Sequence, residues 1–316
     1  MEKPRILIAD GLGEEGIALL GRSASVDVKP KISADELIAD LTHYQGLIVR
    51  SRTKVTAKVI AAGTSLKVIG RAGVGVDNID VGAAVARGVI VVNSPLAATV
   101  SVAELTLGLI LAMAREIPRA DAAMKKGEWL KSGLVGAELY QKTLGLVAVG
   151  RIGAAVAGRA GAFGMRVIAC DPFLSPDDIR QRQAHPTTLD ELLSNSDYIS
   201  IHTPLTAQTK NLIGAEAFAK MKPGVRIICA ARGEVVDEAA LLEALESGKV
   251  AGAALDVFAT EPPGVTPLVA HPKVICTPHM GAQTTAAQNR ASVDIAEDVL
   301  AVLQGRDPKW PVTSNL

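Results

Sequence analysis

Three polar residues in the C-terminal half stand just past short apolar runs: Arg232 after Cys229-Ala230-Ala231, Glu261 after Asp256-Val257-Phe258-Ala259-Thr260, and His279 after Thr277-Pro278. In an open parallel sheet, residues at successive strand ends converge on one crevice although they are far apart in sequence. The three types suit hydride transfer at a 2-hydroxy or 2-oxo acid. A guanidinium fork clamps the substrate carboxylate, and an imidazole exchanges the proton of the hydroxyl or carbonyl oxygen. A carboxylate on the second ring nitrogen fixes the tautomer and raises the basicity of the imidazole. Taken singly, each residue has a plainer reading: a turn histidine, a solvated loop acid, a surface cation.

Hydride chemistry needs a cofactor, and residues 144–153 offer a place for one. The apolar run 144–149 leads into Gly150, Arg151, Ile152 and Gly153, the second and third glycine positions of a dinucleotide fingerprint, with Ala148 at the first. Gly150 lets the backbone approach a pyrophosphate, Gly153 permits close packing of helix on strand, and the helix N-terminus presents free N–H groups. Downstream, the run 167–170 ends in Asp171, spaced to accept hydrogen bonds from the adenosine ribose. That carboxylate repels a 2′-phosphate, and Pro172, Phe173 and Leu174 add no cation, so NAD is expected over NADP. The alternative for Asp171 is a turn residue before Pro172. His202 closes another run and is placed to line the cofactor pocket, whereas His43, His185 and His271 have surface character.

The elements that must position these residues are short Val/Ile/Leu-rich runs alternating with helical segments, the pattern of parallel sheets covered on both faces. One series lies at residues 6–9, 47–49, 68–70 and 89–92. A second lies at 144–149, 167–170, 198–201, 225–229, 251–255 and 274–277. The expected fold is α/β, with two parallel sheets in two domains. One helix from Thr99 to about Lys126, with Ser101 and Glu104 spaced as a capping box or Thr99 as N-cap, should carry the chain between them. Another should run from Thr284 to about Gln304, before Gly305, Pro308 and Pro311.

Length and composition agree with two domains: 316 residues, 48% of them hydrophobic. Lysine plus arginine and aspartate plus glutamate number 33 each, so no bulk charge favours nucleic acid or anionic membrane. Cys170, Cys229 and Cys276 each close an apolar run without CxxC or Cys/His spacing, so buried thiols and no metal are expected. The apolar stretch 105–114 is about half the length that a bilayer needs. The opening MEKPRILIAD carries no leader-like hydrophobic region, which points to a cytoplasmic protein.

Nearly the whole chain resembles the D-isomer-specific 2-hydroxyacid dehydrogenases. The matching segments are LIVRSRTKVTAKVI at 47–60, GRAGVGVDNID at 70–80, VAELTLGLILAMAR at 102–115, KTLGLVAVGRIG at 142–153, DPF at 171–173, HTPLTAQTKNLIG at 202–214, ARGEVVDEAAL at 231–241, ALDVFATEPP at 254–263 and TPHMGAQT at 277–284. The resemblance implies that Arg232 binds the substrate carboxylate, Glu261 pairs with the histidine and His279 is the acid/base. It implies cofactor contacts from Arg151, Ile152, Asp171, Thr203, Pro204, Ala230, Asp256, Gly281 and Ala282, with Val74 beside the nicotinamide. It further implies an α/β fold of two Rossmann-like domains, a flavodoxin-like substrate domain, discontinuous over residues 1–97 and 285–316, around a doubly wound NAD-binding domain of 98–284, with cleft closure that excludes water and a homodimer formed through the long helix and neighbouring parts of the NAD domain.

For the substrate, the resemblance leads first to oxidation of 3-phosphoglycerate to 3-phosphohydroxypyruvate, with Arg50, Ser51, Gly73, Val74, Gly75 and Lys131 to hold carboxylate or phosphate. Arg52 is a further cation nearby, or an exposed side chain. Ala97 and Ala98 stand where Gly-Asn is usual, and Val74 replaces a smaller or hydroxylated residue, so a glyoxylate or hydroxypyruvate reductase is the alternative. An NAD(H)-sensing corepressor is the reading from another class. Ala148 in the fingerprint predicts weakened cofactor binding. The short tail after the last helix gives no expectation of an appended serine-binding domain.

Overall fold

The computed structural model describes residues 3–313. The chain divides into two units, residues 1–98 with 282–316 and residues 99–281. The first begins with β1 (Arg5–Ile8), α1 (Glu14–Ser23), β2 (Ser25–Val28), α2 (Ala34–Asp40), β3 (Gly46–Val49), α3 (Ala57–Ala62), β4 (Val68–Arg71), α4 (Val81–Ala86) and β5 (Ile90–Asn93). Its five strands are parallel in the order β2-β1-β3-β4-β5, the flavodoxin-like winding.

The second unit holds α5 (Thr99–Ala114), α6 (Ile117–Lys125), β6 (Thr143–Val147), α7 (Arg151–Ala162), β7 (Arg166–Cys170), α8 (Pro176–Gln181), β8 (His185–Pro186), α9 (Leu189–Asn195), β9 (Tyr198–Ile201), α10 (Ala215–Lys220), β10 (Val225–Cys229), α11 (Glu238–Glu246), β11 (Val250–Leu255) and β12 (Val274–Cys276). Its seven-stranded parallel sheet runs β12-β11-β10-β9-β6-β7-β8, so the winding reverses between β6 and β9. A doubly wound sheet opens its ligand crevice at such a reversal, beyond the carboxyl ends of the strands. The chain then returns to the first unit through α12 (Thr285–Leu303).

The inner strands are apolar on both sides because each sheet is covered twice. In the first unit, Ile6, Ile8, Ile48 and Val68 pack with Ile295 and Val299 of α12 on one face. Leu7, Leu47, Val49 and Ile69 pack with Leu37 and Ile60 on the other. Gly70 lets α12 lie close on β4, since a methyl there would sit 2.8 Å from Ile295 and 2.9 Å from Val299. In the second unit, α5 and α7 cover Leu144, Leu146 and Ile228, while α9, α10 and α11 cover Ile199, Ile227 and Ala253.

Two local expectations need correction. The segment from Thr99 to Lys125 is two helices, because Glu116 turns left-handed at φ 52° and Pro118, in the first turn of α6, lacks the N–H an uninterrupted helix would use. Helix α5 begins at Thr99, so Ser101 is its third residue, buried, and does not stand at the N-cap. The final helix starts as expected, with the Thr284 hydroxyl accepting from the Ala287 N–H. Among the described residues, no helix is long and apolar enough to cross a membrane, and no cluster of His, Cys, Asp or Glu is arranged to hold a metal ion.

Candidate active site

Beyond β10 the chain runs through Ala230 and Ala231 to Arg232, whose backbone is extended and whose Nη1 donates to the Ala231 carbonyl at 2.7 Å. Gly233 follows at the start of a short 3-10 turn, Gly233–Val235, with its Cα so close to the Phe258 main chain that a side chain there would collide with the Phe258 carbonyl. Only glycine permits this contact, which joins the Arg232 segment to the loop beyond β11.

In that loop Glu261 is held by two bonds. The Phe258 N–H donates to Oε1 at 3.2 Å, and Oε2 lies 2.8 Å from His279 Nδ1. The ionised carboxylate is an acceptor only, so Nδ1 carries the hydrogen and Nε2 is left to exchange a proton with a substrate. Glu238, the first residue of α11, steadies the same loop by accepting from the Ala259 N–H at 2.7 Å.

His279 is itself strained, with φ 50°. Its loop is gathered by Asp256, which directly follows β11 and is 1% exposed. The Asp256 carboxylate accepts from the Thr277 hydroxyl at 2.6 Å and from the Met280 and Gly281 N–H groups at 2.8 Å each. A left-handed backbone at a non-glycine residue persists where the surroundings over-determine it, and here three bonds to one buried carboxylate do so. Arg232, Glu261 and His279 are thus carried by consecutive strand ends of one sheet. Cys229, the last residue of β10, is buried, which pushes its thiol up to about 11.

At the fingerprint, Ala148 adopts φ 68° between β6 and α7. The turn keeps the left-handed form that glycine would supply, and the methyl's cost falls on the backbone. Gly153 is needed for close approach, since a methyl there would sit 2.7 Å from the Ala148 carbonyl oxygen. Nothing lies within 4 Å of where a Gly150 side chain would begin, which leaves room above the N-terminus of the twelve-residue α7. Asp171 Oδ2 accepts from the Val149 N–H at 3.0 Å and Oδ1 from the Phe173 N–H at 3.1 Å. Each oxygen retains a lone pair for a ribose hydroxyl.

The open helix N-terminus, the left-handed turn and this carboxylate fit a dinucleotide. Thr203 is buried, Pro204 exposed, and the half-buried His202 ring lies 2.9 Å from the Ser200 hydroxyl, with burial pushing its pKa down to about 4. Lys131 lies in a short 3-10 turn, Lys131–Gly133, in this unit.

In the other unit, Arg50 and Ser51 belong to a loop organised by Asp10, whose side chain is 2% exposed. Asp10 accepts from the Arg50 N–H at 2.7 Å, the Thr53 N–H at 3.0 Å and the Thr53 hydroxyl at 2.5 Å. Arg52 is no free cation: its Nη2 pairs with Asp10 at 3.0 Å and donates to the Ala9 carbonyl at 2.7 Å. Asn78 Nδ2 closes the loop on the Arg50 and Thr53 carbonyls.

Gly73 takes φ 145° with the Arg71 side chain packed where its own would be, and the Val74 carbonyl accepts from Asn93 Nδ2 at 2.6 Å. Ala97 and Ala98 are buried, and Arg290 of α12 grips the Ala97 carbonyl through Nε and Nη2. Ala282 opens the second segment of this unit.

Residues 107–281 match the family model for the NAD-binding domain of D-isomer specific 2-hydroxyacid dehydrogenases. The chain belongs to that family. Over 301 residues, it is 48% identical to the D-3-phosphoglycerate dehydrogenase of Synechocystis sp. The alignment covers 95% of the chain and 54% of the relative, so the chain spans about half the length of the curated relatives it matches. A crystal structure of a Thermus thermophilus protein superposes with a TM-score of 0.90 at 38% identity, covering 98% of this chain and all of the other. A D-lactate dehydrogenase from Aquifex aeolicus, solved with NAD and lactic acid, superposes with a TM-score of 0.83 at 30% identity over 95% of this chain and 96% of its own.

Proposed function

We propose that this dehydrogenase oxidises D-3-phosphoglycerate to 3-phosphohydroxypyruvate with NAD. The observation that carries the chemistry is the 2.8 Å contact between Glu261 and His279 Nδ1 at the strand ends of the doubly wound sheet. The likeness to D-3-phosphoglycerate dehydrogenases supports the substrate.

In this reading the 99–281 unit holds NAD through Gly150, Arg151, Ile152, Gly153 and Asp171, with Thr203, Pro204, Ala230, Asp256, Gly281, Ala282 and Val74 around the nicotinamide half. The unit of 1–98 and 282–316 presents Arg50, Ser51, Gly73 and Gly75 to the substrate, and Lys131 supplies a further cation. Arg232 binds the substrate carboxylate and orients C2. His279 Nε2 takes the hydroxyl proton while Glu261 stabilises the imidazolium through Nδ1–H. When bound, NAD accepts the hydride from C2.

A homodimer and cytoplasmic residence belong to the same proposal. Trp129, Val135 and Tyr140, 75%, 84% and 64% exposed beyond α6, support a second copy as their cover. Light scattering that finds only monomer at micromolar concentration would remove the dimer.

The activity is tested by following NADH oxidation with phosphohydroxypyruvate, hydroxypyruvate, glyoxylate and 2-oxoglutarate in parallel. Phosphohydroxypyruvate is expected to be the preferred substrate. His279→Ala is expected to lower kcat roughly 100- to 10,000-fold with NADH binding retained. Preference for an unphosphorylated acid would reassign the substrate, and full activity in His279→Ala would remove the proton-transfer role.

A further inference from the structure

Val149, inside the fingerprint turn, is gripped from two sides by opposite charges. Its N–H donates to Asp171 Oδ2 at 3.0 Å, and its carbonyl accepts from Arg182 Nη1 at 2.8 Å. Arg182 is the half-buried C-terminal cap of α8, the helix that follows the Asp171 loop. A cation thus stands at the adenosine side of the turn, although Pro172, Phe173 and Leu174 supply none. A guanidinium has five N–H donors in a planar fork, and the bond to Val149 accounts for one of them.

We propose that Arg182, anchored to the same residue whose N–H binds Asp171, is a latent phosphate-binding cation of the cofactor site, which only the Asp171 charge keeps from accepting a ribose 2′-phosphate. The inference rests on the NAD reading given above. A 2′-phosphate there meets the Asp171 carboxylate, whose lone pairs suit only hydroxyl donors, before it can reach the guanidinium. Once position 171 is neutral, the remaining N–H donors of Arg182 face an acceptor that they bind well, since phosphate and guanidinium pair bidentately.

Asp178 is the competing anion on α8. Its carboxyl is held below its ordinary range by the two Ser175 hydrogen bonds of the capping box first, and by Arg182 to a lesser degree. Asp178 therefore has a partner of its own in Ser175 and leaves Arg182 able to turn towards a phosphate. Asparagine is the suitable neutral replacement at 171, because its carbonyl oxygen can still accept from the Val149 N–H.

Direct binding of 5′-AMP, 2′,5′-ADP and NADH, measured by calorimetry and fluorescence titration, tests this without turnover. The natural protein is expected to prefer 5′-AMP over 2′,5′-ADP. Asp171→Asn is expected to raise 2′,5′-ADP affinity at least about tenfold, a step worth roughly 1.4 kcal/mol. Adding Arg182→Gln should abolish most of that gain while leaving 5′-AMP affinity close to that of Asp171→Asn, and Arg182→Lys should restore part of it. A gain in Asp171→Asn that survives Arg182→Gln, or no gain at all, overturns the proposal while NADH binding by the natural protein keeps the cofactor reading. Binding of neither NADH nor 5′-AMP by the natural protein overturns both. Thermal melts of each variant separate loss of the contact from loss of the fold.

Discussion

The two units use one device with different results. In each, an aspartate just beyond a strand gathers a loop by accepting two backbone N–H groups and a threonine hydroxyl: Asp10 for residues 50–53, Asp256 for residues 277–281. The loop under Asp10 contains no left-handed residue. The loop under Asp256 contains His279 at φ 50°. A carboxylate that satisfies several donors at once can thus either organise a relaxed loop or hold a side chain in a conformation it would otherwise leave. The strained version stands where the imidazole must meet Glu261.

The largest effects should come from removing these carboxylates. Asp10→Ala and Asp256→Ala each strand several donors, and each is expected to lose on the order of 3 kcal/mol in chemical denaturation. The comparison sharpens if Asp256→Ala also lowers kcat beyond what its stability loss explains while Asp10→Ala, at a temperature where it is folded, raises KM chiefly. Equal kinetic losses in the two variants would break it.

Ala148 is strained without such a clamp, so its cost should be recoverable. Ala148→Gly removes the left-handed penalty on a residue with a Cβ, partly offset by the entropy of an unfolded glycine, for a net gain of about 0.5–1 kcal/mol. A raised melting temperature and tighter NADH binding are expected. No change in either would mean that the turn accepts alanine at no cost.

His202 offers the smallest test, since its ring is only half-buried. Its pKa lies near 4 in the folded protein against an ordinary 6.5. The unfolded ring therefore takes up a proton first as the pH falls. Stability present above pH 6.5 should be lost progressively down to about pH 4 and level off below it. A His202→Gln variant should lack that part of the slope, and an NMR titration placing the ring at 6.5 would remove the prediction.

The sheets were legible in the sequence because strands covered on both faces are continuous runs of branched apolar residues. Those that were missed lack this signature: β2, Ser-Val-Asp-Val, is a half-polar edge strand, and β8 has two residues. The break between α5 and α6 was marked by Pro118 but hidden by the helical periodicity around it. At the site, strand ends announced Arg232, Glu261 and His279, whereas Asp10, Asn78, Glu238 and Arg290 were invisible. Each of these binds main-chain groups of a distant segment, and a backbone N–H or carbonyl leaves no trace in residue identity. Arg182 escaped notice for the same reason, its partner being the Val149 carbonyl.

The placement of α12 has a consequence for synthesis. The five strands of the first sheet leave the ribosome before the seven-stranded unit, but the helix that covers Ile6, Ile8, Ile48 and Val68 leaves after it. The intervening seven-stranded unit is contiguous and can close on itself while that apolar face is still bare. On the ribosome the later-made sheet can therefore close first, and the earlier one is sealed only when α12 arrives.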